Sequence, residues 1–215
     1  MRVMVGESRS HYIVGRLKEL GWARLWTQNT PTPFPGEKWG LDSGIYADWS
    51  AGRTFDDNRF LRRVDKALTV TEPIYMAVTP DIVGGGVESL EWSLSWLDRL
   101  PSEFPWFLAV QDGMTIEDVE PVIAGRFSGI FVGGTNRFKG TACEWVRLAK
   151  KHGLPAHYGR AGTPQKLQNA IDSKADTCDS SFPLWTKERF NYFAECWRNN
   201  PQPRLDLIPH RRSID

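Results

Sequence analysis

The chain has 215 residues, of which 40% are apolar and 25% charged, and its formal net charge is +1 at pH 7. That balance suits a single domain with a packed core and excludes a disordered chain or a strongly basic polyanion binder. No apolar run approaches the roughly 20 residues that span a bilayer. The opening M-R-V-M-V is too short for a signal peptide, and the three cysteines, Cys143, Cys178 and Cys196, lack C-x-x-C spacing. A disulfide framework and a structural zinc site are therefore unsupported, and a reducing cytoplasmic compartment is expected.

Short β-rich apolar runs are predicted at 2–5, 23–26, 39–45, 74–79, 106–110, 129–132, 155–158 and 175–178. Helical patterns lie between most of them, at 10–20, 57–68, 87–100, 115–125, 139–152, 164–174 and 186–198. Thr115 with Asp118 behind it, and Thr163 before Pro164, read as helix starts; Gly21 and Gly153 read as helix stops. Eight strands alternating with helices predict a compact α/β fold, a (β/α)8 TIM barrel over residues 1–200, with a polar tail at 201–215. The open doubly wound sheet is the alternative. G-E-S-R-S-H follows the first strand, so a dinucleotide-binding G-x-G-x-x-G is absent, and G-G-T-N-R-F-K-G at 133–140 lacks the G-K-[ST] of a P-loop.

Charge and aromatic content are uneven. Arg62, Arg63 and Lys66 cluster, as do Lys150 with Lys151 and His210 with Arg211 and Arg212; each reads as a solvated face. Most of the ten tryptophans are expected in the core, with some left to stack on bases. His11, His152, His157 and His210 show no ligand spacing such as H-x-x-x-H; only His157 is a candidate for pocket lining, and no metal site is expected.

In a barrel, the loops after the C-terminal strand ends build the active site. Those positions hold Glu7, Ser8, Gln28, Asp42-Ser43-Gly44, Asp81, Gln111-Asp112-Gly113, Gly133-Gly134-Thr135, Arg160 and Asp179. Recurring carboxylates with an amide and paired glycines suit a neutral, hydrogen-bonding heterocycle or a sugar, and not acyl transfer or metal-assisted hydrolysis. Of the two aspartates near the last strand, Asp179 reads as catalytic and Asp176 as a brace for the strand end.

Five motifs in order resemble the tRNA-guanine transglycosylase superfamily. L-D-S-G-I-Y (41–46) resembles its D-S-G-G-F, A-V-Q-D-G (109–113) its V-Q-G-G, and F-V-G-G-T (131–135) its I-G-G-L. Y-G-R-A-G-T-P-Q-K-L (158–167) is similar to its G-V-G-T-P-E-D-L, and A-D-T-C-D-S (175–180) to the V-D-x-F-D-C stretch that carries its nucleophile. The likeness covers roughly residues 40–185. The C-x-C-x-x-C zinc site is missing and Ser181-Phe182-Pro183 replaces P-T-R. Without that zinc-binding subdomain, the chain looks closest to the 7-deazaguanine DNA transglycosylases of phages and bacterial DNA-modification clusters.

The resemblance implies a pentosyltransferase that replaces guanine in DNA with a 7-deazaguanine such as preQ0. Asp179 would be the nucleophile at C1′ and Asp42 the general acid/base. Asp81, Gln111, Gly133, Gly134, Ser43, Gly44 and Tyr158 would bind substrate, with Tyr46, Phe131 and Tyr158 as stacking candidates. The implied partners are DNA and the free deazapurine, with no cofactor and no membrane; self-association is a further expectation, since tRNA-acting relatives often pair. The same carboxylates also suit a tRNA-acting enzyme or a base-excising N-glycosylase, and a nucleic-acid-binding barrel without chemistry is the non-enzymatic reading.

Overall fold

In the computed structural model, which describes residues 1–199, eight parallel strands close into a barrel in sequence order. They are β1 (Arg2–Gly6), β2 (Ala23–Trp26), β3 (Gly40–Leu41), β4 (Met76–Val78), β5 (Trp106–Val110), β6 (Gly129–Val132), β7 (Ala156–Tyr158) and β8 (Thr177–Ser180). The ring closes where β8 pairs with β1, placing Asp179 opposite Met4. The helices are α1 (His11–Leu20), α2 (Ile45–Ser50), α3 (Asp57–Leu68), α4 (Gly86–Trp96), α5 (Ile116–Ile123), α6 (Ala142–Lys151), α7 (Pro164–Asp172) and α8 (Lys187–Arg198). The chain is a (β/α)8 barrel. The expected tail at 201–215 lies outside the described residues.

Local chemistry accounts for several boundaries. The Thr115 hydroxyl accepts from Asp118 N while the Asp118 carboxylate accepts from Thr115 N, a reciprocal cap that starts α5. Thr163 caps α7 ahead of Pro164, whose missing N–H costs nothing in the first turn. Gly21 ends α1 in the left-handed conformation that a side chain would resist.

No helix joins β2 to β3. Residues 27–39 return along the outside of β2 as irregular chain, held by a buried ion pair. Arg24 donates from Nε to Glu37 Oε1 at 2.9 Å and from Nη2 to Oε2 at 2.6 Å. Backbone N–H groups of Arg24 and Phe34 occupy the same carboxylate. Both side chains are almost fully buried, and only this satisfaction makes two charges tolerable there.

Strand alternation divides the core. Met4, Ala23, Leu25, Met76, Val78, Phe107 and Ala109 fill the lumen. Their neighbours in sequence, such as Val3, Val5, Leu108, Val110 and Ile130, face the helices. Trp22, Trp26, Trp39 and Trp96 are fully buried, whereas Trp49 and Trp185 are exposed.

Two sequence expectations shift. The run at 39–45 yields a two-residue strand, because Asp42 bends the chain into a turn and residues 45–50 form α2. The last strand lies at 177–180 instead of 175–178, so Asp179 is within the barrel wall and not after it.

Candidate active site

Period-2 alternation decides which end residues reach the mouth. On β7 and β8, His157 is opposite Thr177 and Tyr158 opposite Cys178. Tyr158 and Cys178 pack in the layer between barrel and helices, so His157, Thr177 and Asp179 take the opposite face and point into the lumen. Tyr158 is therefore on the wrong side of its strand to bind a ligand at the mouth.

Asp179 is held through one of its two oxygens. Its Oδ1 accepts from Arg160 N at 2.8 Å and contacts His157 Nε2 at 3.0 Å. Oδ2 has no hydrogen-bond partner among the described residues. Arg160 reaches this position with φ 56, a left-handed backbone unusual for a side-chain-bearing residue. Its guanidinium donates to Gly134 O at 2.6 Å and sits 4.0 Å over the exposed Tyr46 ring.

Asp42 stands where β3 gives way to the turn. Its N–H donates to Trp26 O at 2.9 Å, and its Oδ1 accepts from Gly44 N at 2.7 Å. Ser43 is buried beside it, its Oγ accepting weakly from Ile45 N. Burial raises the Asp42 pKa, and the nearby Asp179 carboxylate pushes it the same way. Arg63, expected on a solvated face, is 8% exposed and turns inward from α3 to donate to the carbonyls of Asp42 and Ser43.

Asp81, just past β4, is pushed up to about 7 by burial and by Asp42. Gln111 Nε2 donates to Asp81 Oδ2 at 3.1 Å, to Ile82 O at 2.8 Å and to Ser89 Oγ at 2.8 Å, while its Oε1 accepts from Gly84 N at 2.7 Å. The amide is thus occupied on both sides. Gln111 supports Asp81 and the β4–α4 loop, and is not free to contact a base.

The glycines of the β6 loop sit as expected beside the mouth. Gly133 N donates to Val110 O at 2.8 Å. Gly134 has φ 73, and a Cβ there would lie 2.6 Å from Asp112 Oδ2. Asp112 in turn accepts from Thr135 N and Thr135 Oγ1, both at 2.7 Å, locking the β5 and β6 loops together.

Asp176 lies at the other end of β8. It pairs with Lys150 and accepts from Ala156 N at 2.8 Å, which is the bracing position expected of it. The clefts divide likewise. One of about 210 Å³, lined by Thr27, Gln28, Asn29, Gly44, Arg59 and Arg63, adjoins Asp42. A larger one of about 440 Å³ lies at the N-terminal end beside Arg2, Trp22 and Glu37, away from the three carboxylates.

Of three basic groups at the mouth, the sequence reading placed His157 as pocket lining and Arg160 at a strand end, and it missed Lys139. Lys139 is 3% exposed, donates to Gly159 O at 3.0 Å and is pushed down to about 8 by burial. For His157 a signal existed, since alternation from Asp179 puts Thr177 inward and the neighbouring strand then presents 157. Among the described residues, no three His, Cys, Asp or Glu side chains are placed to hold a metal ion, and no helix is long and apolar enough to cross a membrane. Compared with protein-family models and with curated proteins, the chain matches none, so its chemistry is argued from its own geometry.

Proposed function

We propose that this barrel is a base-exchange transglycosylase that replaces guanine in DNA with a 7-deazaguanine such as preQ0, through a covalent aspartyl intermediate. One observation carries the reading: Asp42, Asp81 and Asp179 meet at the C-terminal mouth, where burial and mutual repulsion raise the first two. Breaking a glycosidic bond with retention needs a carboxylate to capture the anomeric carbon and a second group that holds a proton.

Asp179 suits the first task, with Oδ1 tied to two partners and Oδ2 open. Oδ2 attacks C1′, the C1′–N9 bond breaks, and its electron pair leaves with guanine. Asp42, whose buried carboxyl favours the protonated form, supplies the proton that neutralises that base. The incoming deazapurine then loses its N9 proton to Asp42, N9 attacks C1′, and Asp179 is released. Asp81 matches the N1–H and N2–H2 donor edge of guanine, and the Gly134 N–H is available to O6. A duplex target would have to be flipped out, with the exposed Tyr46 and Trp49 rings beside the mouth available for stacking.

Nucleoside mass spectrometry of DNA incubated with the protein and preQ0 tests the proposal. A deazaguanine deoxynucleoside is expected. Incorporation into tRNA alone would assign the RNA substrate, and abasic sites without added base would assign an excising glycosylase; either overturns the DNA-exchange reading.

A further inference from the structure

His157, expected only as pocket lining, is held more closely than that role needs. It is wholly buried, and its ring stacks on Phe131 with centroids 4.7 Å apart and planes 15° from parallel. A Cβ at Gly159 would come within 2.6 Å of the Phe131 ring, so the absence of a side chain there is what lets the stack form. Both imidazole nitrogens are engaged: Nδ1 with Thr177 Oγ1 at 2.8 Å and Nε2 with Asp179 Oδ1 at 3.0 Å. Tyr75 lies beside Thr177, and burial pushes its hydroxyl up to about 12. A line of side chains thus runs through the lumen from Thr177 to His157 and Asp179.

The proton at Nε2 follows from its partner. As a nucleophile Asp179 is a carboxylate, which only accepts, so Nε2 carries an N–H toward Oδ1, and in a neutral ring Nδ1 then accepts from the Thr177 hydroxyl. We propose that His157 is the positioning residue of Asp179: its Nε2–H anchors Oδ1 so that Oδ2 alone faces the sugar. The inference rests on Asp179 being the nucleophile. A carboxylate free to rotate offers either oxygen at varied angles, and misplacement by about 1 Å is enough to cost on the order of 10²-fold in rate. The charged and titratable groups facing the ring are Asp179 on β8, Asp42 after β3 and Tyr75 before β4 by way of Thr177.

Two measurements test the inference. First, exchange kinetics are compared for His157→Phe, which keeps the stack but not the donor, and His157→Gln, which can restore an N–H near Nε2. His157→Phe is expected to lower kcat by about 10²-fold with KM for the base unchanged, and His157→Gln to recover about tenfold of that loss. Equal kcat in the two variants, or a loss carried entirely in KM, overturns the proposal. Second, nitrogen-15 NMR of histidine-labelled wild-type protein reads the tautomer without any catalysis. A proton on Nε2 is expected, and Thr177→Val should disturb the Nδ1 signal. An Nε2 that carries no proton refutes the positioning geometry. If the wild type shows no base exchange, the proposed function fails while the NMR outcome still decides the hydrogen-bond order.

Discussion

The two ends of the barrel carry carboxylates in opposite circumstances. At the N-terminal end, Asp176 is joined to Lys150 and to a backbone N–H, and Glu37 is fully matched by Arg24. At the C-terminal mouth, Asp42 and Asp81 lie outside salt-bridge distance of any cation among the described residues, and they repel each other. Paired charges hold a structure together. Crowded, desolvated ones cost stability and make the mouth the candidate functional site.

The contrast is sharpest in Asp179→Asn, which should abolish both the covalent protein–DNA adduct on a denaturing gel and base exchange, while leaving the melting temperature nearly unchanged. An adduct that survives there but disappears in Asp176→Asn would show that the wrong aspartate of the strand was chosen. Asp42→Asn should slow exchange by roughly 10²–10⁴-fold, the usual contribution of general acid–base catalysis, with some adduct still accumulating. Rapid-quench turnover measures it.

Breaking the opposite end should damage the fold instead. Glu37→Gln leaves Arg24 buried without its counter-ion and should lower unfolding free energy by about 3–5 kcal/mol in urea titration. Activity per folded molecule should stay at the wild-type level. A variant of normal stability would mean that the pair contributes little to holding the crossover.

Asp81 gives a pH signature. Its folded pKa of about 7 is above the ordinary carboxylate value of 3.8, so its protonated form favours the fold. Its stabilising contribution is complete below the unfolded value and is lost as pH rises toward 7. Asp81→Asn should therefore gain more in melting temperature at pH 8 than at pH 4. Under the proposed function the ionised form binds the base, so affinity for guanine should fall about tenfold per pH unit below 7 in the wild type and stay flat in the variant. Scanning calorimetry at pH 4 and pH 8 checks the first sign, and titration calorimetry across that range the second. The smallest effect is expected from Asp176→Asn: about 1 kcal/mol or less, because Lys150 is half exposed, with no change in chemistry.

Periodicity pointed to the barrel ahead of an open sheet, and the pairing of β8 with β1 decided it. Eight β-rich runs spaced by amphipathic helices have few other ways to bury their apolar faces, and caps such as Thr115 and Thr163 act within one turn of chain. The grouping of Asp42, Asp81 and Asp179 was legible for the same reason, since a closed parallel barrel brings every C-terminal strand end to one rim. The short α2 was not legible, because the turn at Asp42 depends on Arg63 reaching in from α3 to hold two carbonyls. Nor was the face chosen by each residue at a strand end. Register fixes that choice, and a shift of one residue exchanges Tyr158 for His157 at the lumen. The fate of Gln111, occupied by Asp81, Ile82, Ser89 and Gly84, was set by a loop packed against it from 22 or more residues away. Which groups are buried, and what each then meets, is a property of three-dimensional packing, and only the folded chain could give Asp81 its raised pKa and Asp179 its histidine.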